Sequence, residues 1–440
     1  MELILVFLIF IVAIAVSLVL DMNMMFPLAL GFVLFAALSV KKGFALKEVL
    51  RMAVESVRES FIVIWVLLII GCMTGLWRIS GTVAYFVSAG ISLMPKSLFV
   101  LSAFLLTAAM SYAIGTSFGV TATAGVIVMS IARAGGVAVL PVAGAILSGV
   151  YVGDRGSPAA SSANLVASLT GTDMRINIRR MLKTSWVPFL LAGGFYAVLS
   201  VFYPIQTADS GVLAELAEEF RLSWLCIVPA VVMIVLPFCR VKVKWSMACS
   251  IAVSAVLSAA VQHASVVDIV KAAVLGFEPE NSGLSSILSG GGVVSMLNVA
   301  GILLISGTYG GIFKGTGILS GLENKITALK DKTGRYAAML LISALVCMIF
   351  CNQTIGCIII DQLCACLYGD SEKEKYCKML DMEDSVIIVA GLVPWCIACS
   401  VPLAMIGADV RAIPAAVFLW LVPLWNYLFR NKRDRYAEHI

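Results

Sequence analysis

One stretch among long apolar runs carries residue types that could do chemistry: residues 151–173, YVGDRGSPAASSANLVASLTGTD. It sets Asp154 beside Arg155, then Ser157 and Pro158, then Ser161, Ser162 and Asn164. A charge inside a bilayer costs at least ~2.5–3.5 kcal/mol, so a carboxylate there marks a functional position more often than a packing choice. A second acidic element, Glu383-Asp384-Ser385, is followed by Pro394-Trp395, and Asp361 is a third acidic residue within an apolar stretch. Two polar patches accompany these elements, SYAIGTSFGVTATAG at 111–125 and CNQTIGCIIIDQ at 351–362. Glycine next to hydroxyls and amides points to short re-entrant or unwound stretches. Their carbonyls and hydroxyls could ligate a cation stripped of water, which suits Na+. Asp154 and Asp384 are therefore the candidate Na+ carboxylates, with Glu383 beside the second. Thr116, Ser117, Thr121, Ser157, Asn164, Asn352, Gln353 and Thr354 are the candidate neutral ligands. The bland alternatives are an Asp154–Arg155 pair at a helix end, a solvated helix start at Glu383 and Asp384, and hydroxyls bonded to their own helix backbone.

Such residues need a membrane-spanning frame, and the composition supplies one. The 440-residue chain is 61% hydrophobic and 13% charged, with a mean hydropathy of +1.01. Apolar runs long enough to span a bilayer, roughly 20 residues, recur along the whole sequence. Segments of alternating hydrophobicity, the mark of a β-barrel, are absent. The expected fold is an all-α polytopic membrane protein with about 12–14 membrane segments. Residues 3–20 lack a basic flank and a small-residue cleavage site, so they read as a first membrane helix. Most of the twelve cysteines fall late and inside apolar runs, without nearby histidines, and read as packing residues.

Loop charge sets the orientation. Residues 41–59, the Arg175–Lys183 region, the Arg240–Lys242–Lys244 group and the tail with Arg430, Lys432, Arg433 and Arg435 are basic and are placed inside. Residues 206–222 and 263–282 are acidic and are placed outside. Both termini are then cytoplasmic. The sequence also repeats itself: VLLIIGCMTGLWRISGT at 66–82 aligns with ILLISGTYGGIFKGTGI at 302–318. The first copy follows a basic loop and the second an acidic one, so the copies enter from opposite sides as an inverted repeat. The expected organisation is a first inverted half at 1–205, an acidic external linker at 206–222 and a second half at 223–440. Mid-segment glycines followed by Arg78 or Lys314 suggest broken helices facing a cavity. Alternatively the glycines are close-packing surfaces.

These motifs resemble those of the NhaC-type Na+/H+ antiporter family, within the ion transporter superfamily. Its Gly-Asp-Lys/Arg-x-Ser-Pro motif is similar to Gly153, Asp154, Arg155, Ser157 and Pro158. Its Thr/Ser-rich continuation resembles Ser161, Ser162, Asn164 and Leu165, and its Gly-Thr-x-x-x-Ser-Gly-Thr signature looks like residues 75–82. Further likenesses are Gly115-Thr116-Ser117-Phe118 with Thr121, Met382-Glu383-Asp384-Ser385, and Pro394-Trp395. The order is kept over most of the chain. Five positions depart from the family pattern: Ser161, where many members carry aspartate, Phe118 for tryptophan, Val386-Ile387 for Gly-Thr, and Cys396 for asparagine.

The resemblance implies an inverted-repeat transporter with broken helices and re-entrant hairpins, not an enzyme, in the plasma membrane. It implies secondary antiport of Na+ against H+, with Asp154 as the carrier carboxylate, Asp384 as its pseudo-symmetric counterpart, and Arg155 holding Asp154 in one state or replacing the cation. The alternative is cation- or proton-coupled exchange of a small organic anion or amino acid, as in malate/lactate antiport, with Arg78 and Lys314 meeting the carboxylate. No cofactor is expected beyond transported Na+ and H+. The expected partners are the lipid bilayer and a small cation or organic solute, with a homodimer as the assembly to test and no nucleic acid.

Overall fold

The structure is a computed structural model and describes residues 2–20, 22–93, 95–205, 210–239, 241–317 and 323–429. Asp209, Arg240, Ile318, His439 and the basic tail from Arg430 onward lie outside the described residues. The described chain is a bundle of helices without a sheet, its only bridge of strand type joining Phe277 and Gly290. Among the described residues, five helices are long and apolar enough to cross a membrane: Lys96–Ile114, Ser117–Ala134, Met174–Phe202, Val243–Ala260 and Val293–Thr316. The pair Ile64–Ile79 and Thr82–Ile91, bent by 66°, makes a sixth if taken as one span. Shorter apolar helices fill the spaces between them, including Met25–Lys41, Arg335–Phe350 and Val417–Leu428. The protein is a multi-pass membrane protein.

Glycines decide how closely the helices meet, and here the structure corrects an expectation. The helix Leu46–Ile79 runs unbroken through Gly71 and Gly75, and Leu297–Thr316 runs unbroken through Gly307 and Gly311. A Cβ on Gly75 would lie 2.1 Å from the Ala272 carbonyl oxygen, and one on Gly311 would lie 2.0 Å from that of Met52. These glycines admit a neighbouring backbone rather than break their own, as small residues do between membrane helices. The breaks come at the ends of the two motifs, where Gly81 (φ +76°) and Gly317 (φ +57°) take the left-handed conformation.

The helices that matter for the site are joined in the same way. Gly149 and Gly153 bring Val139–Gly156 against Phe99–Ile114: a Cβ on Gly153 would stand 2.0 Å from the Ser111 carbonyl carbon, and the Ser111 hydroxyl donates to the Val150 carbonyl. Asp173 caps Met174–Phe202, accepting from the Arg175 amide at 2.8 Å. The N-terminal hairpin is held by aromatic rings, with Phe10 edge-on to Tyr309 at 5.7 Å between centroids and Phe35 against Phe313 at 4.9 Å.

Candidate functional site

The site is built from two similar chain breaks. The helix Phe99–Ile114 ends at Gly115 (φ +75°), and Thr116 opens the next helix by accepting from the Gly119 amide at 3.3 Å. The helix Arg335–Phe350 ends at Cys351 (φ +54°), and Asn352 opens the next by accepting from the Thr354 amide at 2.9 Å. The spacing between Gly115 and Cys351, and between Thr116 and Asn352, is the same as that between Gly71 and Gly307. Gly115 is glycine for a second reason: a Cβ there would meet the Ala159 carbonyl carbon at 2.4 Å. Cys351 pays the strain of a left-handed non-glycine residue.

Asp154 lies two residues before the end of Val139–Gly156 and is buried. Its Oδ2 accepts from Gln353 Nε2 at 3.1 Å. Ser117 faces the same carboxylate with its hydroxyl and its main-chain N–H, and Ser162 reaches it with its hydroxyl. Ser162 also donates to the Asp154 carbonyl at 2.5 Å. Ser117 and Gln353 are each the first residue of their helix, Ser117–Ala134 and Gln353–Leu363, and the same spacing again separates them. Two helix N-termini, with their free N–H groups and positive dipole ends, therefore meet at one buried carboxylate. A cavity of about 180 Å³ opens beside it, lined by Ser161, Ser162, Leu165, Gln353, Thr354 and Cys357.

Glu383 and Asp384 are buried in a π-helical turn, Glu383–Ile387, that interrupts an otherwise α-helical run from Glu372 to Ala390. Turns of this kind recur at functional sites; a second one, Thr121–Gly125, lies in the helix that Ser117 opens. Gln353 Nε2 also donates to the Ile387 carbonyl at 3.1 Å, tying the Asp154 carboxylate to the Glu383 turn. The Glu383 carboxyl has Arg155, Asp384 and Asp154 as charged neighbours, and its Oε2 has no hydrogen-bond partner among the described residues.

Arg155 departs from its expected role. Its Nε donates to Asp384 Oδ1 at 3.1 Å, Nη2 donates to the same oxygen and to Thr184 Oγ1 at 2.8 Å, and Nη1 donates to the Met181 carbonyl at 3.1 Å. The ion pair is thus Arg155–Asp384, not Arg155–Asp154. The reason is geometric: adjacent residues on a helix point to different sides. Asp384 is also not the positional counterpart of Asp154. Asp154 stands two residues before its helix end at Gly156, and Asp384 stands six before its own at Ala390.

Several expected ligands are engaged elsewhere. Thr116 and Asn352 cap helices, Thr121 donates to the Ser117 carbonyl at 2.8 Å, and Ser157 accepts from the Ala159 amide at 3.1 Å. Asn164 donates to the Pro158 and Ala160 carbonyls at 3.0 and 2.7 Å. They shape the two breaks and the Ser157–Pro158 turn. Arg78 donates to the Thr74 carbonyl at 2.8 Å, and Lys314 lines a separate cavity with Glu55 and Gln362; neither contacts Asp154 among the described residues. Asp361 pairs with Lys378 at 2.7 Å. Sequence reasoning passed over Thr184 and Cys357. Thr184 carries no local signal, since it acts only through Arg155. Cys357 had one: it lies four residues after Gln353, on the same helix face.

A polytopic helical protein with a buried carboxylate held between two helix starts has the layout of the secondary transporters, the class that sets ion sites at broken helices. The sequence profile of the Na+/H+ antiporter family matches residues 149–428, more than half of the chain, and the chain belongs to that family. It is similar to the malate-2H(+)/Na(+)-lactate antiporter of Bacillus subtilis, 24% identical over 383 residues, covering 86% of this chain and 82% of the relative. It is similar to the Na(+)/H(+) antiporter NhaC of Alkalihalophilus pseudofirmus, 26% identical over 373 residues, covering 83% and 81%. A shorter likeness, 25% over 284 residues, joins it to the arginine/ornithine antiporter ArcD of Halobacterium salinarum, covering 62% and 58%.

Proposed function

We propose that this protein exchanges Na+ for H+ across the plasma membrane, with both termini in the cytoplasm, and that Asp154 is the carboxylate for which the two ions compete. The observation that carries the reading is the setting of Asp154: buried, and met by Gln353 from one helix start and Ser117 from the other. An ionised carboxylate away from water must be matched by donors, a cation or a proton. When a cation arrives, Gln353 can turn its amide so that Oε1 rather than Nε2 faces the ion, while the Ser117 and Ser162 hydroxyls offer lone pairs. When the cation leaves, a proton or the amide donors take its place. Exclusive occupancy of one carboxylate couples the fluxes without a phosphate-transfer step.

Asp384 serves a different purpose in this reading. Held by Arg155, it ties the Glu383 turn to Val139–Gly156, and Glu383 brings a further buried carboxyl to the Asp154 side. The two helix pairs act as inverted repeats about this point, an arrangement supported by the equal spacing of their breaks. Exchange of an organic anion is the weaker reading, because Arg78 and Lys314, the cations it needs, lie away from Asp154. Purified protein in proteoliposomes, supplied in turn with Na+, Li+, K+, hydroxy acids and amino acids and read with an internal pH probe, tests the proposal. Proton flux driven by Na+ is expected; flux driven by an organic solute alone would replace Na+ as the cargo.

A further inference from the structure

Asp154 has a cavity on one side, the one beside Gln353. A second cavity, of about 570 Å³, is lined among others by Asn23, Asn298, Pro394, Ser400 and Asp409. Tyr151 links the Asp154 helix to a helix that lines this second cavity. It lies one helical turn before Asp154 on the same face and is fully buried. Its hydroxyl donates to the Ala398 carbonyl at 2.9 Å. Its ring rests on Gly391, where a Cβ would fall 2.5 Å from Tyr151 Cζ. Asp154, Cys396 and Cys399 are among its polar neighbours. The short helix Ile397–Met405 therefore turns Ala398 toward Tyr151 and Ser400, Leu403 and Ala404 toward the large cavity.

We infer that the two cavities are the opposite mouths of one cation path, and that Tyr151, latched to Ala398, is the barrier that separates Asp154 from the larger mouth. The ring fills the space beside Gly391, and the hydroxyl ties it to a helix that follows a Pro394-Trp395 turn and holds Pro402. Swinging that helix breaks the Tyr151–Ala398 hydrogen bond and uncovers Asp154 from the other side. The larger mouth is lined by the polar side chains of Asn23, Asn298 and Ser400 and by an Asp409–Arg411 ion pair. The inference rests on the reading of Asp154 as the exchange site, but its test does not need Na+ to be the cargo.

The test is passive proton leak in Na+-free proteoliposomes holding an imposed pH gradient. The wild-type protein is expected to hold the gradient as protein-free liposomes do. Tyr151→Ala, which removes both ring and hydroxyl, should collapse it severalfold faster. Tyr151→Leu keeps apolar bulk for folding yet leaves the path incompletely filled, and should leak as well. Tyr151→Phe keeps the ring but not the latch, and should leak more than the wild type and less than Tyr151→Leu. Alanine and leucine variants as tight as the wild type would overturn the assignment, and if the alanine protein does not reconstitute, the leucine variant decides. A wild-type protein without Na+-driven exchange would sink the transport reading and leave this leak comparison standing on its own.

Discussion

Gln353 Nε2 stands 3.1 Å from Asp154 Oδ2 and 3.1 Å from the Ile387 carbonyl oxygen, so one amide joins three helices at the buried carboxylate. Gln353→Ala removes both bonds, so the Asp154 carboxylate and the Ile387 carbonyl each lose one donor. A lost hydrogen bond to a charged group costs about 1.5–3 kcal/mol. The variant should keep its fold but show a KM for Na+ raised roughly tenfold, the equivalent of about 1.4 kcal/mol. Na+ titration of proton flux in everted vesicles reads this; an unchanged KM would remove Gln353 from the site.

Arg155 and Asp384 should behave as a unit. Removing one partner of a buried pair leaves an uncompensated charge and costs about 3–5 kcal/mol, whereas replacing both by apolar groups is often tolerated. Arg155→Met and Asp384→Leu are each expected to cut the yield of monodisperse protein, and the double variant to recover a good part of it. Fluorescence-detected size exclusion in mild detergent checks the ordering. Equal losses in all three would show that the pair is not coupled.

The glycines offer a contrast within one residue type. Alanine is favoured over glycine in a helix interior by about 1 kcal/mol. At Gly194, where a Cβ would meet nothing within 4 Å, Gly→Ala should raise thermal stability. At Gly153 and Gly311, where it would lie 2.0 Å from a neighbouring backbone, the same change should lower it. Thermal unfolding in detergent separates them, and stabilisation at Gly311 would contradict the close-packing account.

Ser161 lines the cavity beside Gln353. A carboxylate added there stands near the cation's approach to Asp154 and strengthens its attraction through a partly dry space. Ser161→Asp is expected to lower the KM for Na+ severalfold. The effect should shrink in high salt if the residue acts only from the cavity mouth. No change in KM at low salt would exclude Ser161 from the path.

Much of the frame was legible in the residues. Apolar runs, loop charges and the likeness of 66–82 to 302–318 were enough for a helical membrane protein with repeated segments. Asp154 stood out because an acid in that setting has few structural uses. What the residues could not disclose was pairing across distance: Arg155 adjoins Asp154, yet its partner Asp384 lies 229 positions away. Nor could the glycines be sorted. A helix break and a close packing both require the absence of a side chain, and only the packed positions of Ala272 and Met52 distinguish Gly75 and Gly311 from Gly81 and Gly317. The hydroxyls of Thr116 and Thr121 are ambiguous for a related reason: a cap or a backbone bond engages the same oxygen that a cation would.

The central claim is that Na+ and H+ compete for Asp154. The direct measurement is Na+-driven proton flux by Asp154→Asn in proteoliposomes, beside the wild type, with folding checked by size exclusion. Asparagine keeps the shape and can still accept from Gln353, but it can neither release a proton nor neutralise a cation. The account expects a folded protein with no Na+-driven proton flux. Flux at the wild-type rate would contradict it.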